Sequence, residues 1–215
     1  MFPIRDSAPR RGFPIINLLI IGANVGIFVM QLLAPDFEEF VFRYGFVPVR
    51  FEIFNPATYS PILSSIFMHG GFMHILSNMW FLHIFGDNVE DRLGHISYLI
   101  FYLLGGFFAT MVQYIFNIGS NIPMIGASGA VSAVAGAYFL LFKRHTIEAL
   151  IPGFLGFWHI IELPAWFFLG YWFFIQVFSG LGSLVAFDIN QGGVAWFAHI
   201  GGFGYGYLAV KKLKS

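Results

Sequence analysis

Apolar residues in this chain fall into long runs separated by short polar breaks. The runs cover roughly residues 14–33, 61–85, 97–116, 126–142, 164–180 and 194–210. A helix needs about 20 apolar residues to cross a hydrocarbon core about 30 Å thick. An open sheet would leave its backbone groups unpaired in lipid, so each run predicts a helix. The pattern therefore predicts an all-α membrane protein, a bundle of six transmembrane helices. The head of the second run, Pro61–Phe67, is compatible with an interfacial position. Residues 146–163 are also apolar, but Pro152, Gly153, Gly156 and Pro164 break the stretch. It reads as an interfacial loop and not as a seventh crossing.

Charge placement supports six crossings with both termini inside. The inner segments then hold Arg5, Arg10, Arg11, Arg92, Lys143, Arg144, Lys211, Lys212 and Lys214, and the outer ones hold Arg43 and Arg50. Nine against two is a strong positive-inside bias. A seventh crossing would move the three C-terminal lysines outside. The outer segment 34–60 mixes Asp36, Glu38 and Glu39 with Phe51 and Phe54, as suits a segment lying on the bilayer.

Composition changes the picture only by exclusion. The chain has 215 residues, 58% hydrophobic and 10% charged, with mean hydropathy +0.75. Soluble domains carry about 25% charged residues. Net charge is zero, which gives no polybasic footprint for nucleic acid. Cysteine is absent, which excludes disulfides and thiolate metal sites. No polar block divides the chain, so residues 1–215 read as a single membrane domain. A cytoplasmic segment 1–13 precedes it and a cytoplasmic tail 211–215 ends it.

Polar residues inside the runs are the candidates for chemistry, since each costs about 2.5–3.5 kcal/mol at mid-bilayer on insertion scales. His69, His74 and Asn78 lie near the outer end of the second run, and His74 and Asn78 share a helix face. Gly126-Ala127-Ser128-Gly129-Ala130 opens the fourth run, and Ala198-His199-Ile200-Gly201-Gly202 lies in the sixth. Runs two, four and six all enter from outside. A fourth helix of 17 residues spans about 25 Å, which starts Ser128 below the outer surface and level with His199. Gly202 and Gly206 on one helix, with Gly129 and Ala133 on the other, permit close approach. A serine hydroxyl and an imidazole need that approach for base catalysis. Each residue also has a plain reading: serine bonding its own backbone, histidine bridging helices, small residues packing. No pair of histidines carries the His-Glu-x-x-His zinc pattern, and no metal or other cofactor is expected. His83, His95, His145 and His159 receive no role.

Three segments together resemble the rhomboid family: Phe67-Met68-His69-Gly70-Gly71-Phe72-Met73-His74-Ile75-Leu76-Ser77-Asn78, then Gly126-Ala127-Ser128-Gly129-Ala130, then Ala198-His199 with Gly202 and Gly206. Each motif alone is weak; in this order, on alternate helices of six, they are specific. Gly86, Glu90 and Gly94 also resemble a family element, with Glu90 structural. The resemblance implies a six-helix rhomboid bundle and an intramembrane serine endopeptidase that cuts membrane proteins in or near their transmembrane segments. It implies Ser128 as nucleophile and His199 as general base in a dyad without an acid. Asn78, the backbone N–H of Ser128 and His74 would hold the oxyanion, with Ala127 beside the nucleophile and His69 supporting the loop. Gly126, Gly129, Gly202 and Gly206 would be structural. The alternative is an inactive relative that binds transmembrane segments.

Two family features are missing. Ser132 stands where some relatives place an aromatic ring under the histidine, so something else must orient the imidazole. The Trp-Arg pair of some members' first outer loop is absent. The expected partners are membrane substrates and the lipid bilayer, not nucleic acid, and the expected location is a prokaryotic plasma membrane. The fifth run is crowded with Trp166, Trp172, Phe173 and other rings; their plain reading is that they face lipid, while the resemblance implies a lateral gate beside the second run.

Overall fold

The computed structural model describes residues 1–153, 157–185 and 193–214. Gly156, expected to help break the apolar stretch, and Ser215 at the end of the expected tail lie outside the described residues. Among the described residues the α-helices are α1 Ile15–Leu33, α2 Phe37–Tyr44, α3 Ser60–Ser65, α4 Phe72–Leu93, α5 His95–Phe116, α6 Ser128–Leu141, α7 Ala165–Val185 and α8 Trp196–Lys214. Three strands, β1 Phe2–Asp6, β2 Thr146–Pro152 and β3 Trp158–Pro164, form an antiparallel sheet in the order β1-β2-β3.

The sheet corrects two expectations. The class is mostly helical and not all-α, and within the expected interfacial loop Thr146–Pro152 and Trp158–Pro164 form antiparallel strands. Ile147 and Ala149 alternate inward into the core, while Glu148 faces out to pair with Arg5 at 2.7 Å. Pro152 and Gly153, taken as breakers, stand at the end of β2, where the chain turns. The N-terminal segment supplies the third strand, with Phe2 opposite Leu150 and Asp6 opposite Ile147. The expected tail from 211 is helical to Lys214, the end of α8. The second crossing helix starts at Phe72, since Pro61–Phe67 belongs to α3 and the turn after it.

Among the described residues, α1, α5 and α7 are each long and apolar enough to cross a membrane. The apolar α6 has 14 residues, about 21 Å by helical rise. It is central, with every residue from Gly129 to Tyr138 buried. Helix α1 has lipid-type polarity. Leu19, Met30 and Leu33 face outward, while Asn17, Asn24 and Gln31 are buried seven residues apart. In lipid a polar side chain must find its partner inside the protein. Asn17 bonds the Leu82 carbonyl at 3.0 Å, and Gln31 bonds both the N–H and the carbonyl of His69.

Glu90 lies at the amino end of α1. Its carboxylate accepts from the N–H groups of Ile16 at 2.9 Å and Asn17 at 2.7 Å, the open amino end of α1, and also contacts His95 Nδ1. Such a carboxylate satisfies orphan donors and meets the positive end of the helix dipole. Nearby, Asp6 accepts from Tyr138 Oη and from Asn88 Nδ2, which ties the sheet to α4 and α6. Burial raises the Asp6 carboxyl above the usual carboxylate range. Strand β3 runs into α7 without a loop. The N–H groups of Ala165 and Trp166 donate to the carbonyls of His145 and Lys143 just past α6.

Helices α6 and α8 pack backbone to backbone. A Cβ at Gly202 would enter the Gly129 carbonyl, one at Gly206 the Ala133 carbonyl, and one at Gly136 the Phe203 carbonyl. Gly202 and Gly206 thus stand where α8 meets the α6 backbone, whereas a Cβ at Gly129 would meet Ala109 of α5 at 2.5 Å and Ala198 of α8 only at 3.8 Å.

Candidate active site

Ser128 is the first residue of α6, so its N–H has no acceptor within the helix. The preceding Gly126 has φ +130° and donates its N–H to Ser65 at 2.9 Å. A Cβ there would lie 2.8 Å from the His74 ring, so only glycine lets the loop pass this close. Residues 123–125 are held by paired backbone bonds between Phe46 and Met124. This loop lines a cavity of about 800 Å³.

Ser128, His199, His74 and Asn78 all line that cavity. Ala127 is buried just behind Ser128. His69 lies outside the lining. Its ring is fully buried between Phe28 and His74, and neither ring nitrogen has a hydrogen-bond partner among the described residues. Its backbone N–H and carbonyl bond the Gln31 side chain.

Asn78 is 6% exposed, and its Nδ2 has no hydrogen-bond partner among the described residues. His74 Nδ1 accepts from the Gly70 N–H at 3.3 Å, which puts the proton of the neutral ring on Nε2. Two side-chain donors and the open N–H of Ser128 thus belong to one cavity. No hydrogen bond joins Ser128 Oγ to His199 among the described residues. Catalytic hydrogen bonds are often long before substrate binds.

Residues not singled out from sequence complete the surroundings. Gln113 of α5 accepts from the Ala198 N–H at 3.0 Å and so caps the start of α8. Gln176 of α7 meets His199 Nδ1 at 2.8 Å. Trp172 and Trp196 lie with ring centroids 6.0 and 6.2 Å from the imidazole. No hydrogen bond joins Ser132 to the histidine among the described residues. The Ser132 hydroxyl donates back to the Ser128 carbonyl at 2.6 Å. The rings of α7 differ in what they meet. Trp172 meets Phe81 of α4 at 6.0 Å and Phe173 stacks on Phe203 at 4.3 Å, while Trp166 is 53% exposed and points away. Among the described residues no cluster of three or more potential metal ligands occurs.

Comparison with known proteins places this geometry in context. The model of the Rhomboid domain matches residues 56–214. Rhomboid-like protein 4 of Arabidopsis thaliana is 28% identical over 93% of this chain and 52% of its own length. The mitochondrial presenilin-associated rhomboid-like protein A of Danio rerio is 31% identical over 74% of this chain and 40% of its own. The corresponding Bos taurus protein is 32% identical over 55% and 30%. The chain spans about half the length of these relatives or less. The organelle names of the last two give no support to a prokaryotic plasma membrane. An integral, multi-pass membrane protein is supported.

Proposed function

The chain belongs to the rhomboid family, and from that premise we propose that it is an intramembrane serine endopeptidase acting on membrane proteins. Ser128 Oγ attacks the scissile carbonyl carbon while its proton passes to His199 Nε2. The oxyanion of the tetrahedral intermediate accepts from Asn78 Nδ2, the Ser128 N–H and His74 Nε2–H, at the positive end of α6. When the C–N bond breaks, His199 returns the proton to the leaving amine. Water then attacks the acyl-serine with His199 again as base, releasing the acid.

The observation that carries this reading is the buried Asn78 amide nitrogen left without a partner in the cavity shared by Ser128 and His199. A buried unpaired donor costs about 1–3 kcal/mol, a cost that makes sense where negative charge develops during reaction. The proposal includes six crossings in one domain, both termini on the positively charged side, and lateral admission of substrate between α4 and α7.

The test is labelling of the purified protein in liposomes by a fluorophosphonate, alongside cleavage of a single-span substrate. Both are expected, and both vanish in Ser128→Ala. An inactive relative would bind the substrate segment without labelling or cleavage. Cleavage by Ser128→Ala at the wild-type rate would overturn the assignment.

A further inference from the structure

We propose that Gln176 is the positioning residue for His199, fixing the tautomer in which Nε2 faces the serine. The inference rests on His199 being the general base. Two hydrogen bonds of one buried amide carry it. Gln176 is 5% exposed, on the face of α7 turned toward α8. Its Nε2 donates to the Trp172 carbonyl at 3.1 Å, and its Oε1 lies 2.8 Å from His199 Nδ1. The reverse amide orientation would set Oε1 against a carbonyl oxygen, acceptor against acceptor, so the Trp172 carbonyl decides which end meets the histidine. An acceptor at Nδ1 requires the ring proton there. The neutral imidazole then keeps Nε2 unprotonated, able to take the Ser128 proton.

Ser132, at the position where a ring could have supported the imidazole, is bonded to its own helix and leaves that work undone. Trp172 and Trp196 limit tilting, but neither fixes the proton. The Gln176 amide oxygen does both, and it stays bonded to Nδ1–H when Nε2 gains a proton. It is a neutral counterpart of the carboxylate in a triad: it orients the ring but adds no full charge. The titratable neighbour of His199 is His74, also lining the cavity.

The test compares Gln176→Leu and Gln176→Glu with the wild type in liposomes, with 15N NMR of the labelled His199 in the Ser128→Ala background. The NMR signal is expected to show Nδ1 protonated and Nε2 bare. Gln176→Leu should lower kcat at least about tenfold, and by no more than the roughly 10²–10⁴ that acid–base catalysis supplies, with little change in KM. Gln176→Glu should keep the orientation and move the ascending limb of the pH–rate profile upward by about 1 unit or more, because a carboxylate favours the imidazolium. A merely structural role in α7 packing would change thermal stability without moving that limb. An Nε2-protonated His199 in the wild-type sequence overturns the proposal, even if Gln176→Leu fails to fold. So does an unmoved limb in a folded Gln176→Glu. Loss of the base reading is separate: it would appear as a fully active His199→Ala.

Discussion

A methyl group at Gly202 should damage catalysis more than its size suggests. In Gly202→Ala the new Cβ would overlap the Gly129 carbonyl oxygen and lie 3.0 Å from its carbon and 3.2 Å from Ser132 Cβ. Backbone cannot rotate aside as a side chain can, so α6 and α8 must separate by about 1 Å to restore ordinary contact. Overpacking of this kind costs about 1–3 kcal/mol. The contact lies one residue past Ser128 and three past His199, so the two reactive groups separate by a similar amount. A 1 Å misplacement can cost about 10² in rate. The matched control is Gly204→Ala on the same helix, where an added Cβ meets nothing within 4 Å. There alanine should be neutral or stabilise by up to about 1 kcal/mol through helix propensity. The assay is kcat for a single-span substrate in liposomes, with thermal unfolding measured in parallel. Full activity in Gly202→Ala, or equal loss in both variants, would refute the backbone-contact argument.

Three further outcomes are expected. Asn78→Ala should lower kcat by about 10²–10³ if its amide is a principal oxyanion donor; steady-state kinetics at fixed substrate settle this, and an unchanged rate would move the donor elsewhere. The Asp6 carboxyl is raised in the folded state, so its contribution to stability is full below its unfolded pKa and is lost as pH rises through the folded one. Asp6→Asn should therefore flatten that fall in thermal stability and gain most at neutral pH; an identical pH dependence in the variant would contradict the assignment. Phe173→Leu should loosen α7 against Phe203 and raise cleavage of membrane substrates more than fluorophosphonate labelling, while Trp166→Ala, facing outward, should do neither.

The long helices were legible because apolar runs of this length have few other solutions. Ser128, His199, His74 and Asn78 could be read together because topology placed their helix ends on one side. Lining residues Gln113 and Gln176 could not. A single glutamine among rings has no period, and its meaning depends on which neighbouring nitrogen it meets. The sheet was missed for a different reason. Its strand β1 is about 140 residues from β2, and the alternation of Ile147, Ala149 and Ile151 is short enough to hide beside Pro152 and Gly153. One signal was available and unused: Asn17, Asn24 and Gln31 at steps of seven mark the inward face of α1.

The join of β3 to α7 gives that helix the mechanics of a lever. Its foot is fixed, with Ala165 fully buried and the first two N–H groups bonded to the chain beyond α6. Displacement then grows with distance from the fulcrum. Gln176 stands 11 residues along, an arm of about 16 Å by helical rise. A swing of about 10° would carry its amide about 3 Å, enough to break its bond to His199, while Leu169 near the foot would move less than half as far. The movement that admits a substrate would thus unlock the base, and closure would set it again. On the proposed mechanism, the base would idle with α7 open and be set as α7 shuts on its substrate.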